Sequence, residues 1–244
     1  MEISGKTVVV TGASRGIGAA IAVGLARLGA GLVLNARSEE SLEGVAAECR
    51  SHGAEVRTVA GDCALDQTAQ FMVKAAKVIG EFGGFVHNAG VLHPGPALWE
   101  LEEARFDEVF DTNVKAGYLL AKYAVPNLRR SGGGFAVFVG SGAANYPVAG
   151  WAAYSAAKAA EHALAFNLAL EAPEIYTFVY SPGTVDTAMQ QAGREAPGEI
   201  ARMFQGFRDG GGLLTPEFTA GKLLAILQDP QRRFHGKVAS YRDA

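Results

Sequence analysis

Residues Thr11–Gly18 have the sequence Thr-Gly-Ala-Ser-Arg-Gly-Ile-Gly, and this stretch decides how the chain begins to fold. The β-branched segment Lys6–Val10 precedes it and predicts a buried strand. The alanine-rich segment Ala19–Gly29 follows it and predicts a helix that ends at a glycine. A glycine-rich turn in this position lets backbone N–H groups and the positive end of the helix dipole approach a pyrophosphate. The glycines alone are also compatible with a plain tight turn, but the flanking strand and helix favour a phosphate site.

The composition predicts a folded globular protein. Of the 244 residues, 49% are hydrophobic and 19% are charged, and the net charge is −3. This balance argues against binding to nucleic acid or to an anionic membrane surface. Cys49 and Cys63 are too few for a disulfide framework or a metal site, and they indicate reduced thiols in a cytoplasmic protein. Met1–Lys6 lacks the features of a signal peptide, and the uncharged segment Ser131–Ala157 is too rich in glycine for a membrane helix.

Strand-like and helix-like segments alternate along the chain. The predicted strands are Lys6–Val10, Gly31–Ala36, Glu55–Ala60, Gly84–His87, Phe135–Val139, Ile175–Tyr180 and a short one at Lys237–Tyr241. The predicted helices are Ala19–Gly29, Ser38–Cys49, Leu65–Glu81, Phe106–Leu128, Ala152–Leu170 and Thr215–Leu227. Such alternation predicts a doubly wound parallel α/β sheet with helices on both faces. We find no linker and no repeat, so we expect one domain over residues 1–244.

The regular pattern loosens between residues 184 and 212. Met189, Met203, Phe204 and Phe207 are mixed there with glycines and charges. This composition is typical of a mobile lid over an active site that contains one or two short helices. A surface loop held in place by its aromatic residues is the alternative.

Three further motifs follow the predicted strands. Asn88-Ala89-Gly90 comes after the fourth strand, Ser141 comes after the fifth, and Tyr154-Ser155-Ala156-Ala157-Lys158 opens the next helix. Together with the glycine turn, they resemble the short-chain dehydrogenase/reductase family, and the resemblance covers nearly the whole chain. It implies a single NAD(P)-binding Rossmann domain, a seven-stranded sheet in the order 3-2-1-4-5-6-7 and a nicotinamide cofactor. It also implies a homo-oligomer, a dimer or tetramer, in which the helices holding Asn113 and Tyr154 pack against their copies.

The proposed catalytic set can be argued from side-chain chemistry. Tyr154 and Lys158 are four residues apart, so they share one helix face. A nearby ammonium favours the phenolate form of a tyrosine, which makes the phenol a proton donor to a carbonyl oxygen that receives a hydride. Ser141 can donate a hydrogen bond to the same oxygen. The family resemblance adds a ribose contact for Lys158 and a water-holding role for Asn113. The alternatives are a helix-capping Ser141, a surface Tyr154 with a solvated Lys158, and a capping or buried Asn113.

The residues after the second strand indicate NADPH. NAD-binding proteins place a carboxylate near this point to hold the ribose hydroxyls, but this chain has Ala36 there. Arg37 follows, and Arg15 lies in the glycine turn, so two guanidiniums are available for a 2′-phosphate, and we expect no acid to repel it. Solvated surface arginines are the alternative. The resemblance implies that the cofactor-binding residues are Gly12, Ser14, Arg15, Gly16, Ile17, Gly18, Arg37, Asp62, Cys63, Asn88, Ala89, Gly90, Tyr154, Lys158, Pro182, Gly183 and Thr187.

Within the family, three stretches are most similar to the sepiapterin reductase and benzil reductase subgroup. They are Leu34–Leu42, Leu168–Pro173 and Tyr180–Gln191. Two features depart from the pattern: His87 stands where asparagine is commoner, and the aspartate of the tail, Asp243, is displaced by one position from the subgroup's pterin anchor. We expect four residues to line the substrate pocket, although each could instead be packing: His93, Tyr146, Trp151 and Met189.

These patterns predict a cytoplasmic NADPH-dependent carbonyl reductase for a small ketone or diketone. A 3-oxoacyl thioester reductase is the first alternative, but it would require a basic surface for a carrier protein, and the net charge is −3. A catalytically silent NADPH-binding sensor is the second, but a sensor is expected to have lost part of its catalytic set. We expect no metal site, no nucleic-acid partner and no membrane association.

Overall fold

The computed structural model describes residues 2–146, 148–196 and 199–244. Within them, seven strands form one parallel sheet in the order β3-β2-β1-β4-β5-β6-β7, which confirms the predicted fold and strand order. The strands are β1 (Lys6–Thr11), β2 (Gly31–Ala36), β3 (Val56–Ala60), β4 (Glu81–His87), β5 (Gly134–Val139), β6 (Ile175–Ser181) and β7 (Val238–Ser240). Residue 147 of the uncharged segment and residues 197 and 198 of the predicted lid lie outside the described residues.

Helices connect the strands and cover both faces of the sheet. They are α1 (Gly16–Arg27), α2 (Glu39–Ser51), α3 (Asp66–Ile79), α4 (Glu103–Phe110), α5 (Ala116–Arg130), α6 (Ala152–Glu171), α7 (Ala188–Arg194), α8 (Glu199–Asp209) and α9 (Pro216–Gln228). Local sequence explains several of their starts. The Ser38 hydroxyl accepts a hydrogen bond from the Ser41 amide at the start of α2, and the Thr215 hydroxyl accepts one from the Phe218 amide at the start of α9.

The core consists of two apolar layers, one on each face of the sheet. Val8 and Val10 of β1 belong to the layer that contains buried residues of α1, α2 and α9. Val9, between them, belongs to the layer that contains buried residues of α3, α5 and α6. Side chains alternate between faces along a strand, so a β-branched run buried on both faces is what a central parallel strand requires.

Several predicted boundaries were wrong: α1 spans Gly16–Arg27 rather than Ala19–Gly29, β4 begins at Glu81 rather than Gly84, and two predicted helices differ further. The predicted helix Leu65–Glu81 ends at Ile79, because Gly80 takes an extended conformation and Glu81 already pairs with Lys6 at the start of β4. The predicted helix Phe106–Leu128 is interrupted: α4 and α5 are joined by a π-helical segment, Asp111–Lys115. The apolar period continues through this segment, so the sequence pattern does not reveal the break.

The region predicted as a lid contains α7 and α8. Val185, which precedes α7, forms a parallel β-bridge with Leu214, which follows α8. Phe204 of α8 is buried, whereas Phe207 is 38% exposed. Phe204 therefore anchors α8 in the protein interior, whereas Phe207 does not. The lid role of this region stays a prediction.

The core makes a simple stability prediction. Leu34 of β2 is fully buried, so we expect Leu34→Ala to lower the free energy of unfolding by about 2–5 kcal/mol through lost apolar contacts and a cavity. Leu170 is 81% exposed, and Leu170→Ala is the matched control, with an expected change within about 0.5 kcal/mol. Urea unfolding followed by circular dichroism measures both. Equal losses would contradict the assignment of Leu34 to the core.

Candidate active site

A cleft of about 1040 Å³ opens at the carboxyl ends of the central strands. Its lining includes the residues that follow β1, β4, β5 and β6. After β1 the chain continues to β2 on one side of the sheet, and after β4 it continues to β5 on the other side. The crevice at the point where the strand order reverses is the usual ligand site of an open α/β sheet. The predicted residues Gly12, Asn88, Ser141, Tyr154 and Pro182 all border it.

Tyr154 and Lys158 lie on α6 and face the cleft together. The Lys158 ammonium lies 5.9 Å from the centre of the Tyr154 ring. Both side chains are almost fully buried, which rules out the alternative of a surface tyrosine with a solvated lysine. Lys158 Nζ donates hydrogen bonds to the Val139 carbonyl oxygen at 2.9 Å and to Glu161 Oε2 at 2.7 Å. The lysine is therefore held in one position beside the phenol.

Ser141 follows β5 and caps a short 3₁₀ turn, Gly142–Ala144. Its hydroxyl oxygen accepts a hydrogen bond from the Ala143 amide at 3.2 Å. The capping interpretation of Ser141 is thus correct, but it does not exclude the catalytic one. The cap uses the oxygen as an acceptor, and the hydroxyl proton can still be donated into the cleft that Ser141 lines.

Asn113 lies in the π-helical segment and is fully buried. Its Nδ2 donates to the carbonyl oxygens of Val91 (2.9 Å) and Val109 (2.8 Å), while its Oδ1 has no hydrogen-bond partner among the described residues. A Cβ at Gly90 would lie 2.8 Å from this Oδ1 and 3.8 Å from Lys158 Nζ. The unpaired amide oxygen and the lysine therefore border the same point beside Gly90. A side chain at Gly90 would block it.

His87 is the last residue of β4, and no sequence pattern indicated a role for it. The Thr11 hydroxyl accepts hydrogen bonds from the amides of Asn88 and Ala89, both at 3.1 Å, so its proton is donated to His87 Nδ1 at 3.1 Å. His87 Nε2 then carries the ring proton and faces the Asn113 carbonyl oxygen at 3.4 Å. Burial, and then the charge of Lys158, lower the pKa of His87 to about 3, so the ring is neutral.

Glu161 is a second buried residue that the sequence did not single out. Its side chain is 1% exposed, and its Oε1 lies 3.7 Å from His87 Nε2. Burial raises the pKa of Glu161 to about 7, although the charge and hydrogen bond of Lys158 oppose the rise. His162, the next residue, also has a lowered pKa of about 4 because of burial and the charge of Lys158.

The glycine turn has the geometry that a phosphate site requires. Gly12 and Gly16 take positive φ angles of 62° and 58°. A Cβ at Gly18 would overlap the Gly12 carbonyl oxygen and Asn88 Nδ2, so the start of α1 packs directly against the end of β4. No acidic residue lies in the first turn of α1, and the Arg15 side chain makes no capping hydrogen bond. The N-terminal amides and Ser14 therefore border the cleft without a competing carboxylate, which fits a dinucleotide pyrophosphate.

The adenine end of the cleft differs from the expectation in one respect. Arg15, Arg37 and Asp62 line it as predicted, but Glu108 of α4 lines it too. One Glu108 oxygen lies 3.7 Å from the Arg37 guanidinium, and the other lies 2.7 Å from His93 Nε2. The expectation that no acid lies near Arg37 was therefore wrong, because α4 brings a distant part of the chain to this edge. The side chains of Arg37 and Glu108 are 78% and 42% exposed, so the pair is weak and can open.

The remaining predicted cofactor residues also border the cleft. Asp62 Oδ1 accepts a hydrogen bond from the Ala64 amide at 2.9 Å, which shapes the turn after β3. Burial raises the pKa of the adjacent Cys63 thiol to about 12, so this cysteine is an unreactive wall residue. Thr187 approaches Gly16 closely enough that a Cβ there would lie 3.3 Å from its Cγ2. The others in this lining are Ile17, Ala89, Gly90, Pro182 and Gly183.

Three of the four predicted substrate residues line the cleft. Trp151 packs edge to face against the Tyr154 ring at 5.8 Å, and its ring is tilted against that of Phe204 at 5.3 Å. Met189 of α7 packs against the same apolar cluster, which contains Tyr154, and Tyr146 is 73% exposed. His93 does not line the cleft; it pairs with Glu108 beside it. Asp243 does not line it either, since its carboxylate accepts a hydrogen bond from the Ser240 amide at 2.6 Å.

Among the described residues, none of the helices combines the length and the apolar character that a membrane span requires. No group of three or more histidine, cysteine, aspartate or glutamate side chains is placed to hold a metal ion in residues 2–146, 148–196 and 199–244.

The sequence model for short chain dehydrogenases matches residues 6–198. This chain belongs to the short-chain dehydrogenase/reductase family. As a member of that family it is an oxidoreductase that acts on CH–OH or C=O groups with NAD or NADP. The position of Tyr154 and Lys158 in the cleft agrees with this assignment.

Relatives in the family differ in what they are named for. The chain is 35% identical to the uncharacterized oxidoreductase YIR035C of Saccharomyces cerevisiae, over 98% of this chain and 96% of the yeast protein. It is 36% identical to 1-deoxy-11-beta-hydroxypentalenate dehydrogenase of Streptomyces exfoliatus, over 81% and 73% of the two chains. The crystal structure of YIR035C superposes with a TM-score of 0.88, at 32% identity over 98% and 97%. The structure of a protein named as an NAD(P)-dependent gluconate 5-dehydrogenase of Beutenbergia cavernae, with NADP bound at low occupancy, superposes with a TM-score of 0.87, at 29% identity over 99% and 97% of the two chains.

The buried histidine of the site makes a pH prediction. The pKa of His87 falls from 6.5 to about 3 on folding, so below pH 6.5 the unfolded chain binds a proton that the folded protein does not. Stability is then lost as the pH falls, by up to about 1.4 kcal/mol per pH unit for this one group. We expect His87→Asn to flatten the decline of the unfolding free energy between about pH 6.5 and pH 4. Urea titrations at several pH values measure it.

The exposed residue His52 provides the control for this experiment. His52→Asn should keep the wild-type slope of stability against pH. An unchanged slope in His87→Asn would show that His87 is not the neutral buried group described here.

Proposed function

We propose that this enzyme is an NADPH-dependent carbonyl reductase that reduces a small ketone or diketone. The observation that carries the proposal is the buried Tyr154–Lys158 pair facing the cleft, with Ser141 on the same lining. A catalytically silent sensor would not need to keep this set in place. When bound, the reduced nicotinamide supplies the hydride.

The side chains of the set divide the remaining work. Tyr154 gives its proton to the substrate oxygen as that oxygen gains negative charge, and Ser141 donates a hydrogen bond to the same oxygen. The fixed ammonium of Lys158 favours loss of the phenolic proton. The unpaired Oδ1 of Asn113 beside Lys158 suits a polar group or water that returns a proton to the site. The same set works in reverse for an alcohol, which is the direction named for the Streptomyces exfoliatus relative.

The charges at the adenine end support NADPH over NADH. Arg15 and Arg37 are available to a 2′-phosphate, and Ala36 provides no carboxylate for ribose hydroxyls. Glu108 holds Arg37 only through an exposed pair, so a phosphate dianion can displace it. NADP is also the nucleotide bound in the Beutenbergia cavernae relative.

The substrate end favours an aromatic or apolar diketone of the benzil type. Trp151, Met189 and Phe204 give the cleft an apolar wall beside Tyr154. Asp243 is engaged with the Ser240 amide, so it is not available there as an anchor for a pterin. This arrangement favours benzil over sepiapterin within the subgroup that the sequence resembles.

We further propose that α7 and α8 close over this substrate as a lid. We also propose that the single domain operates in the cytoplasm, where its two buried thiols stay reduced.

Replacement of the proton donor tests the reaction. Tyr154→Phe keeps the ring and its packing against Trp151 but removes the hydroxyl. We expect kcat for benzil reduction to fall by about 10²–10⁴-fold while the Kd for NADPH stays nearly unchanged. Lys158→Ala should raise that Kd as well. Stopped-flow absorbance of NADPH and fluorescence titration measure the two quantities. Wild-type rates in Tyr154→Phe for sepiapterin, benzil, other diketones and acetoacetyl thioesters would refute the mechanism.

Cofactor choice is tested at Arg37. We expect wild type to bind NADPH more tightly than NADH, and Arg37→Ala to lose roughly 1.5–3 kcal/mol of NADPH affinity with little change for NADH, because one charge-assisted contact is removed. Glu108→Gln is the matched variant and should bind NADPH more tightly, since no carboxylate then competes for Arg37. Isothermal titration gives the dissociation constants of wild type and Arg37→Ala for both nucleotides and that of Glu108→Gln for NADPH. Equal affinities of wild type for the two nucleotides would contradict the assignment.

The oligomeric state is a separate proposal. Phe106 and Tyr118, on α4 and α5, are 37% and 50% exposed, and the family resemblance places this region between subunits. We expect a dimer or tetramer, because large exposed aromatic groups are stabilised when they are buried against a copy. Light scattering at micromolar concentration measures the mass. A species of 25.5 kDa alone would contradict the proposal.

A further inference from the structure

The lysine of the catalytic pair rests on a buried carboxylate. Glu161 lies one helical turn after Lys158 on α6, and its Oε2 is 2.7 Å from Lys158 Nζ. The side chains of Lys158 and Glu161 are only 3% and 1% exposed. The Val139 carbonyl oxygen accepts a second hydrogen bond from the same ammonium at 2.9 Å. The lysine is thus held between the end of β5 and the next turn of its own helix.

Few groups that carry charge or a titratable proton face Glu161. From α6 they are Lys158, Tyr154 one turn beyond it, and the neutral His162. From β4 it is His87, whose Nε2 atom lies 3.7 Å from Glu161 Oε1. That Oε1 has no hydrogen-bond partner among the described residues. Lys158 is therefore the one cation that balances Glu161 within the described part of the chain.

Burying a carboxylate without a partner is costly, and here the partner is a residue of the active site. Burial lowers the pKa of Lys158, but Glu161 and Tyr154 raise it, and the net shift is upward. Without Glu161, burial would act on the ammonium with less opposition. Glu161 therefore keeps the Lys158 ammonium charged to a higher pH than burial alone would allow.

We propose that Glu161 is a positioning residue that keeps Lys158 charged and fixed beside Tyr154, and thereby sets the upper pH limit of ketone reduction. The proposal rests on the proposed function, since it assigns Glu161 a part in that reaction. Reduction needs a protonated Tyr154 and a charged Lys158 at the start. The charged form of Lys158 persists to higher pH when the Glu161 carboxylate lies beside it.

The charge state of Glu161 gives the proposal a distinctive pH signature. The pKa of Glu161 is about 7 because of its burial, so below that pH the wild-type side chain is itself neutral. Wild type and Glu161→Gln should then reduce substrate at similar rates in acid. Above about pH 7 only wild type carries the negative charge at this position, so the pH–rate profiles of wild type and Glu161→Gln should separate. A purely structural role would instead lower the rate by the same factor at every pH.

The first experiment compares pH–rate profiles for benzil reduction at saturating NADPH. We expect the alkaline limb of Glu161→Gln to move to lower pH by about one unit relative to wild type, with the acid region superimposed. Glu171→Gln changes an exposed carboxylate on the same helix and should keep the wild-type profile. Glu161→Asp keeps the carboxylate but places it farther from Lys158, because the side chain is shorter, and should show a smaller shift of the alkaline limb in the same direction. An unmoved alkaline limb in Glu161→Gln, or a uniform loss of rate at all pH values, would overturn the proposal.

The second experiment does not depend on activity. Infrared difference spectra of the cofactor-free wild-type protein, labelled with ¹³C-glutamate, should show a buried carboxyl group that loses its proton near pH 7, and Glu161→Asp should lose this labelled band. A titrating glutamate band that survives in Glu161→Asp would overturn the proposal, because the buried acid would then not be Glu161. If no ketone in the panel is reduced, the proposed function fails, while the infrared titration still decides whether Glu161 is the paired, buried acid described here.

Discussion

The close approach of two chain segments at the glycine turn is the constraint on which the site depends. A Cβ at Gly12 would lie 2.9 Å from the Ala89 Cα, and one at Gly18 would overlap the Gly12 carbonyl oxygen. Asn88 Nδ2 fills the remaining space by donating to the carbonyl oxygens of Thr11 (3.1 Å) and Gly12 (3.0 Å). The ends of β1 and β4 and the start of α1 are therefore locked together. A side chain at either glycine would push the helix N-terminus away from the place that we propose for a pyrophosphate.

Much of this architecture is predictable because it depends on local sequence. Strands and helices alternate with clear hydrophobic periods, and right-handed crossovers leave few ways to order the sheet. Tyr154 and Lys158 are predictable for a similar reason, since four residues on a helix set their relative position. The break between α4 and α5 is not predictable from local sequence. It depends on the Asn113 amide, which donates to the carbonyl oxygens of Val91 and Val109, and Val91 belongs to a loop 22 residues away.

The residues that sequence reasoning missed act across elements. His87 and Glu161 belong to β4 and α6 and meet only in the folded interior, where their closest atoms are 3.7 Å apart. Each, alone in the sequence, resembles an ordinary strand or helix residue. The weak signals were a histidine in place of a commoner asparagine and a glutamate on the buried face of an alanine-rich helix. Glu108 was missed in the same way, because only the fold places α4 beside the end of β2.

The two unexpected carboxylates show how exposure divides the cleft into an adaptable end and a fixed end. Glu108 is 42% exposed, so water screens its contacts with Arg37 and His93, and each such pair contributes about 0–1 kcal/mol. Contacts this weak can exchange when an anionic cofactor arrives or leaves. Glu161 is 1% exposed, and separating a buried pair of this kind costs about 3–5 kcal/mol, so its contact with Lys158 persists. The end of the cleft that we propose for the nucleotide therefore has side chains that can move, and the end that we propose for proton transfer has side chains that burial holds still.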